Sequence, residues 1–99
     1  MKPWQSAYLR AALEPDRNGL TRAGRALQKH AARQGSAFTT RATTAGELNR
    51  LCEQIVRGIL VDPRAVRKPN RRGGEDVIAV DGRGVRYDRD GAFYSFLEP

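Results

Sequence analysis

The sequence predicts an α+β domain of two or three N-terminal helices packed on a C-terminal three- to four-stranded antiparallel meander. Three observations predict it. Leu48, Leu51, Cys52, Ile55, Val56 and Ile59 form an apolar stripe at helical spacing. After Asp62-Pro63 the period shortens to that of strands. Asp81-Gly82 and Asp90-Gly91 then supply the tight reversals of consecutive hairpins. A chain of 99 residues supports one modest core, so residues 1–99 are expected to form a single domain.

A first helix is expected over residues 3–13. Pro3 suits a first turn, and Trp4, Tyr8 and Ala11 or Ala12 share a face. Pro15, Asn18 and Gly19 read as a loop. A second helix is expected from about Leu20 to Arg33, with Leu20, Gly24, Leu27 and Ala31 on one side and Arg22, Arg25, Lys29 and Arg33 on the other. His30 falls on the flank between them, and Gly35 can end the helix. Thr44 and Glu47 have capping-box spacing at the start of the third helix, which Asp62-Pro63 stops. Residues 64–70 suit an edge strand, because Pro69 cannot donate to a ladder. Strands over 76–80, 84–88 and 92–97 complete the meander.

Composition narrows the functional classes. Eighteen Lys and Arg against eleven Asp and Glu give a formal charge of +7. Such a domain attracts phosphate-rich polymers, an anionic membrane or an acidic protein. The cations are mostly Arg, which binds phosphate bidentately and stacks on bases. One cysteine, Cys52, makes neither an internal disulfide nor a zinc site, and its place in the apolar stripe is a core position. No apolar run approaches the roughly 18 residues of a membrane span. Residues 1–15 lack the apolar stretch of a signal peptide. No carboxylate and histidine cluster suits a metal, so neither metal nor cofactor is expected. Asp88-x-Asp90-Gly91 begins like a calcium loop without the rest. Gly82-x-Gly84 lacks the third glycine and the strand–helix setting of a dinucleotide site.

The candidate chemistry centres on His30, the single histidine. It stands beside Lys29 with Arg33 one turn on, so a general acid or base would face a cationic surface. The stripe Arg22, Arg25, Lys29, Arg33 contains no acid to pair with. Arg64, Arg67, Lys68, Arg71 and Arg72 place five cations within nine residues, the denser phosphate-binding signal. Arg83, Arg86 and Arg89 add a third group on the hairpins. Tyr87, Phe93, Tyr94 and Phe96 are either base-stacking residues or core.

Two segments resemble a known family. They are Arg22-Ala-Gly-Arg-Ala-Leu-Gln-Lys-His30 with Gly35-Ser36 and Phe38, and Asp76 to Asp88 with Gly91-Ala-Phe93 and the terminal Phe96-Leu-Glu-Pro99. Together they resemble the C-terminal toxin domains of filamentous-haemagglutinin-like and Rhs-type proteins, the polymorphic and contact-dependent inhibition toxins. Lys29-His30 is also similar to the Lys-His pair of the colicin D tRNase domain, with Ser95 as the counterpart of its last-strand serine. Ala31-Ala-Arg-Gln34 departs from the Gly-Ser-Arg-Pro common in related toxins, and the aromatic that follows the colicin D serine is not matched, since Phe96-Leu97 stands here.

The resemblance implies the barnase–colicin–RelE class of ribonuclease fold. It implies a metal-independent toxin endoribonuclease acting on tRNA, delivered as part of a larger protein into the cytoplasm of a target cell. It also implies neutralisation by a cognate acidic immunity protein or antitoxin. In that reading His30 is the base or acid. Lys29 with Arg33, Arg67, Arg72 or Arg86 stabilises charge on the phosphate, and Ser95 or Tyr87 orients it. Arg22, Arg25, Arg64, Arg67, Lys68, Arg71, Arg72 and Arg83 contact RNA. Two other readings fit the same basic faces: a non-catalytic nucleic-acid-binding module, and an adaptor for an acidic protein.

Overall fold

A computed structural model describes residues 1–99. Three helices, α1 (Pro3–Ala12), α2 (Arg22–Ala31) and α3 (Ala45–Leu60), precede four strands, β1 (Val66–Pro69), β2 (Glu75–Ile78), β3 (Gly84–Tyr87) and β4 (Phe93–Leu97). The sheet is an antiparallel meander in the order β1-β2-β3-β4. This is the α+β arrangement the hydrophobic periods predict.

The helix boundaries follow from their caps. The Thr21 side chain accepts from Gly24 N and makes Thr21 the N-cap of α2, so this helix begins two residues later than Leu20. Thr44 and Glu47 form the expected capping box on α3. In α2 the buried residues are Ala23, Gly24, Leu27 and His30. His30 therefore continues the buried stripe and does not ride on the flank. Gly24 lies close against α3, where an added Cβ would collide with Asn49 Oδ1. Asn49 in turn accepts from Thr21 N at 2.9 Å and donates to Gly19 O at 2.9 Å, which ties the α1–α2 loop to α3.

The core lies between the helices and one face of the sheet. Leu27, Phe38, Leu48, Cys52, Val56, Ile59 and Leu60 meet Val77, Val85, Tyr87, Phe93 and Phe96 there. Tyr87 is fully buried, stacks on Tyr8 at 3.9 Å and donates to Tyr8 O at 2.9 Å. β1 is an edge strand, which accommodates Pro69. It starts two residues late because the Asp62 side chain accepts from Arg64 N at 2.9 Å and holds residues 62–65 in a turn.

The last strand departs from simple alternation. In a regular strand Phe93 and Phe96 would face opposite sides of the sheet. Both are buried, because the ladder pairs Arg86 with Ser95 but Tyr87 with Phe93, leaving Tyr94 unopposed in a β-bulge.

Candidate active site

α2 runs along β4, the edge strand opposite β1, and a cleft of about 580 Å³ opens between them. Arg22, Arg25, Lys29 and Arg33 line its helix wall, while Tyr94 and Ser95 line its strand wall. Asp16 is the one acid on its rim and pairs with Arg25 at 3.5 Å. Arg22, Lys29 and Arg33 have no acidic partner.

His30 sits at the base of this cleft, 5% exposed. Its ring is held edge-on by Phe38 and Phe96, with centroids at 5.4 and 6.0 Å. Nδ1 lies 2.7 Å from Glu98 Oε2. The Arg33 guanidinium also lies 3.4 Å from Nδ1. The two contacts require opposite roles of that nitrogen. A carboxylate only accepts, and its contact is far shorter, so Nδ1 carries the proton and donates to Glu98. Arg33 is then a neighbouring charge and not a donor to the ring. The remaining nitrogen, Nε2, has no protein partner. No buried side-chain nitrogen or oxygen lacks a partner, so Nε2 reaches solvent. With the proton fixed on Nδ1, the lone pair of a neutral ring is on Nε2.

Glu98 is itself fixed. Besides His30, it accepts from Ser36 Oγ at 2.6 Å and from Ala37 N at 2.9 Å. Partial burial opposes its ionisation, but the bonds from His30, Ser36 and Ala37 outweigh that and bring its pKa down to about 2. The carboxylate therefore stays charged beside the imidazole throughout the physiological range. Sequence reasoning missed Glu98 and Ser36 as site residues. Both stand in the segments that carry the family resemblance, but sixty-eight residues separate His30 from Glu98 and no spacing rule joins them.

Of the candidate residues, the fold gathers His30, Lys29, Arg33, Arg22, Arg25 and Ser95 around one cleft. It does not bring Tyr87 there: the hydroxyl is engaged by Tyr8 O, and burial pushes its pKa far above the ordinary tyrosine value. Arg86 does not line the cleft either. It grips the buried Asp76 carboxylate through two 2.9 Å bonds, with Asn70 adding a third at 2.9 Å. That pairing holds the Arg86 guanidinium charged and the Asp76 carboxyl below its usual range.

The cations of residues 64–72 lie at and beyond β1, across the sheet from the cleft. Arg67 is bound to Glu75 and lies over Trp4 at 3.9 Å. Arg83 is paired with Asp81. Arg64, Lys68 and Arg71 are exposed and have no acidic partner. Arg72 is the exception of this group: it bonds Asp88 at 2.6 Å and lies 3.7 Å over the ring of Tyr94, beside the cleft. No group of three or more His, Cys, Asp or Glu side chains is placed to hold a metal ion, and no helix is long and apolar enough to cross a membrane.

A basic cleft with an oriented histidine, on three helices and an antiparallel sheet, defines a class of small nuclease-like domains. Comparison with known proteins makes the assignment sharper: residues 9–98 match the CdiA C-terminal tRNase toxin domain, and the chain belongs to that family. It is thus an endoribonuclease of the tRNase toxin kind, and the non-catalytic reading of its basic surface is set aside. The chain is also similar to the toxic C-terminal tip of CdiA from Pseudomonas aeruginosa, solved in complex with immune protein. The identity is 28%, with a TM-score of 0.68 over 89% of this chain and 98% of that one. No curated protein matches.

Proposed function

We propose that this chain cleaves tRNA by transesterification within the ribose-phosphate backbone, without a metal ion, with His30 as the proton-transfer group. The carrying observation is His30, which lines the basic cleft and is paired with Glu98. Nε2 removes the proton of a ribose 2′-hydroxyl. The 2′-oxygen attacks the adjacent phosphorus, the bond to the 5′-oxygen breaks, and that oxygen leaves with a proton drawn from a cation or from water. The products are a 2′,3′-cyclic phosphate and a 5′-hydroxyl end. DNA has no 2′-hydroxyl and is inert to this route.

Glu98 holds the tautomer and stabilises the imidazolium as it forms. Lys29 and Arg33 stabilise the charge that gathers on the equatorial phosphate oxygens. Ser95 orients the phosphate from the strand side, and Arg22 and Arg25 bind flanking phosphates. Lys29-His30 and Ser95 are the residues on which the resemblance to the colicin D tRNase domain rests.

The substrate lies in a cytoplasm, so the domain acts in that of a target cell, carried there as part of a larger protein. Its producer needs protection. The related Pseudomonas aeruginosa toxin was solved with an immune protein, and an acidic immunity protein seated over Arg22, Arg25, Lys29 and His30 fits the charge of this cleft.

The test is His30→Ala. Loss of the proton-transfer group lowers tRNA cleavage by roughly 10²–10⁴, with the end groups identified by phosphatase and kinase treatment and the wild type assayed in excess chelator. Undiminished cleavage by the variant, or 5′-phosphate ends, overturns the mechanism. Cleavage that stops with chelator and returns with a divalent ion overturns its metal independence.

A further inference from the structure

We infer that Tyr94, backed by Arg72, is a stacking subsite for one unpaired nucleobase of the RNA. This deepens the proposed function by naming what holds the substrate beside the scissile phosphate.

Four aromatics of β3 and β4 are candidates for base contact, and the fold separates them. Tyr87, Phe93 and Phe96 are buried, whereas Tyr94 is 48% exposed. The bulge in β4 is the cause. It inserts one extra residue to turn both phenylalanines inward, and that residue is Tyr94. Bulges beside active sites commonly re-aim a side chain in this way. The re-aimed ring lines the cleft that also contains His30.

The ring is not left loose. The guanidinium of Arg72 lies 3.7 Å over it, and Arg72 is itself fixed by a 2.6 Å bond to Asp88. One face of the phenol is therefore occupied and the ring orientation set, at little further entropic cost on binding. A base stacking on the opposite face extends the sandwich. The position along the strand is apt. Tyr94 lies two residues from Phe96, roughly 7 Å along a strand, and the Phe96 ring abuts His30. A nucleotide at or next to the scissile phosphate spans that interval. Stacking of this kind requires a splayed base, so it selects single-stranded loops over paired stems.

The experiment measures binding of the full chain to two short probes of equal length by fluorescence anisotropy. One is oligodeoxyadenylate and the other is an abasic sugar-phosphate oligomer. Neither offers a 2′-hydroxyl, so the stacking subsite is read whether or not His30 is the catalyst, and the two readings fail separately. Tyr94→Ala is expected to weaken the base-bearing probe by about 5- to 150-fold and to leave the abasic probe unchanged. Tyr94→Phe is expected to keep both affinities, and the kcat/KM for tRNA to follow the base-bearing series.

Equal losses on both probes, no loss on either, or full retention by Tyr94→Leu would overturn the subsite. So would a wild type that binds both probes alike. A Tyr94→Ala chain that keeps oligonucleotide affinity but loses that for the immunity protein would assign the ring to protein docking instead.

Discussion

Replacing Glu98 by Gln and by Ala separates orientation of His30 from simple structural support. Glu98 Oε2 accepts from His30 Nδ1 and Ser36 Oγ, and Oε1 accepts from Ala37 N. A glutamine has one acceptor and one donor end. With its oxygen kept on Ala37 N, its NH2 group faces Nδ1 and demands a lone pair there. The ring proton then moves to Nε2, and the group in the cleft becomes a donor unable to take a proton. With the amide reversed, NH2 meets the Ala37 N–H, and a donor faces a donor at the cost of an unmade bond, about 1–3 kcal/mol.

The first orientation disables the base, whereas the second keeps the proton on Nδ1 but carries that penalty, so the disabled form dominates. The expected loss for Glu98→Gln is about 10² in single-turnover cleavage of a tRNA transcript, or ~2.7 kcal/mol in the barrier. Glu98→Ala leaves Nδ1 to water. The ring is then less well oriented but free to adopt the productive tautomer, so a loss nearer tenfold is expected despite the larger excision. The order, with Gln slower than Ala, is the signature. A Glu98→Gln enzyme at wild-type speed, or one clearly faster than Glu98→Ala, would refute the tautomer argument.

Three further outcomes follow from the geometry. Glu98 is depressed in the folded state, so its contribution to stability is full above its ordinary value near 4.5 and is lost as pH falls toward about 2; Glu98→Gln should flatten the dependence of Tm on pH across that window, and an unchanged slope would count against it. Gly24→Ala should cost about 1–3 kcal/mol by driving Asn49 off Thr21, read as a lower urea midpoint, with an unchanged midpoint as the contrary result. Neutralising Arg22 and Arg33 together should reduce the slope of log affinity against log salt by about 0.7–0.9 for each phosphate no longer neutralised, whereas neutralising Arg67 and Arg83, already bound to Glu75 and Asp81, should leave it nearly unchanged; the reverse ranking would move the RNA to the β1 side.

Much of this molecule is legible in its sequence because much of it is local. The capping box of α3, the apolar stripe behind it and the paired Asp-Gly reversals each act over a few residues, and all appear as expected. His30 is recognisable as the one histidine beside a lysine on a basic helix. What escapes is long-range. Nothing at Glu98 announces that it closes on His30, and nothing in Arg86 shows that its charge is committed to Asp76. A strand over 92–97 is legible, but that Phe93 and Phe96 share its buried face is not, because it depends on the bulge at Tyr94. The densest basic run, residues 64–72, is divided by the fold in a way its sequence does not show: Arg67 and Arg72 are bound to acids, while Arg64, Lys68 and Arg71 stay exposed and unpaired.

That last distinction decides where the field of the molecule points. Each strand of the sheet that carries arginine also finds it an acid: Arg67 has Glu75 and Arg86 has Asp76, while at the turns Arg72 has Asp88 and Arg83 has Asp81. These pairs cancel at short range and contribute little beyond it. The helix wall of the cleft is different. Arg22, Lys29 and Arg33 stand without acids and only Arg25 is matched, by Asp16 at 3.5 Å. These three cations line a cleft, whose walls focus their potential, whereas the unpartnered Arg64, Lys68 and Arg71 stand exposed at and beyond β1. In the proposed function a polyanion drawn into this cleft meets His30, which lines it. On the same proposal the cleft is the seat of an acidic inhibitor, because a protein steered along the substrate's path arrives over His30. In the proposed function recognition, chemistry and neutralisation converge on α2, which is pinned at its other end by Thr21, Gly24 and Asn49 so that its basic face meets β4 at a fixed distance.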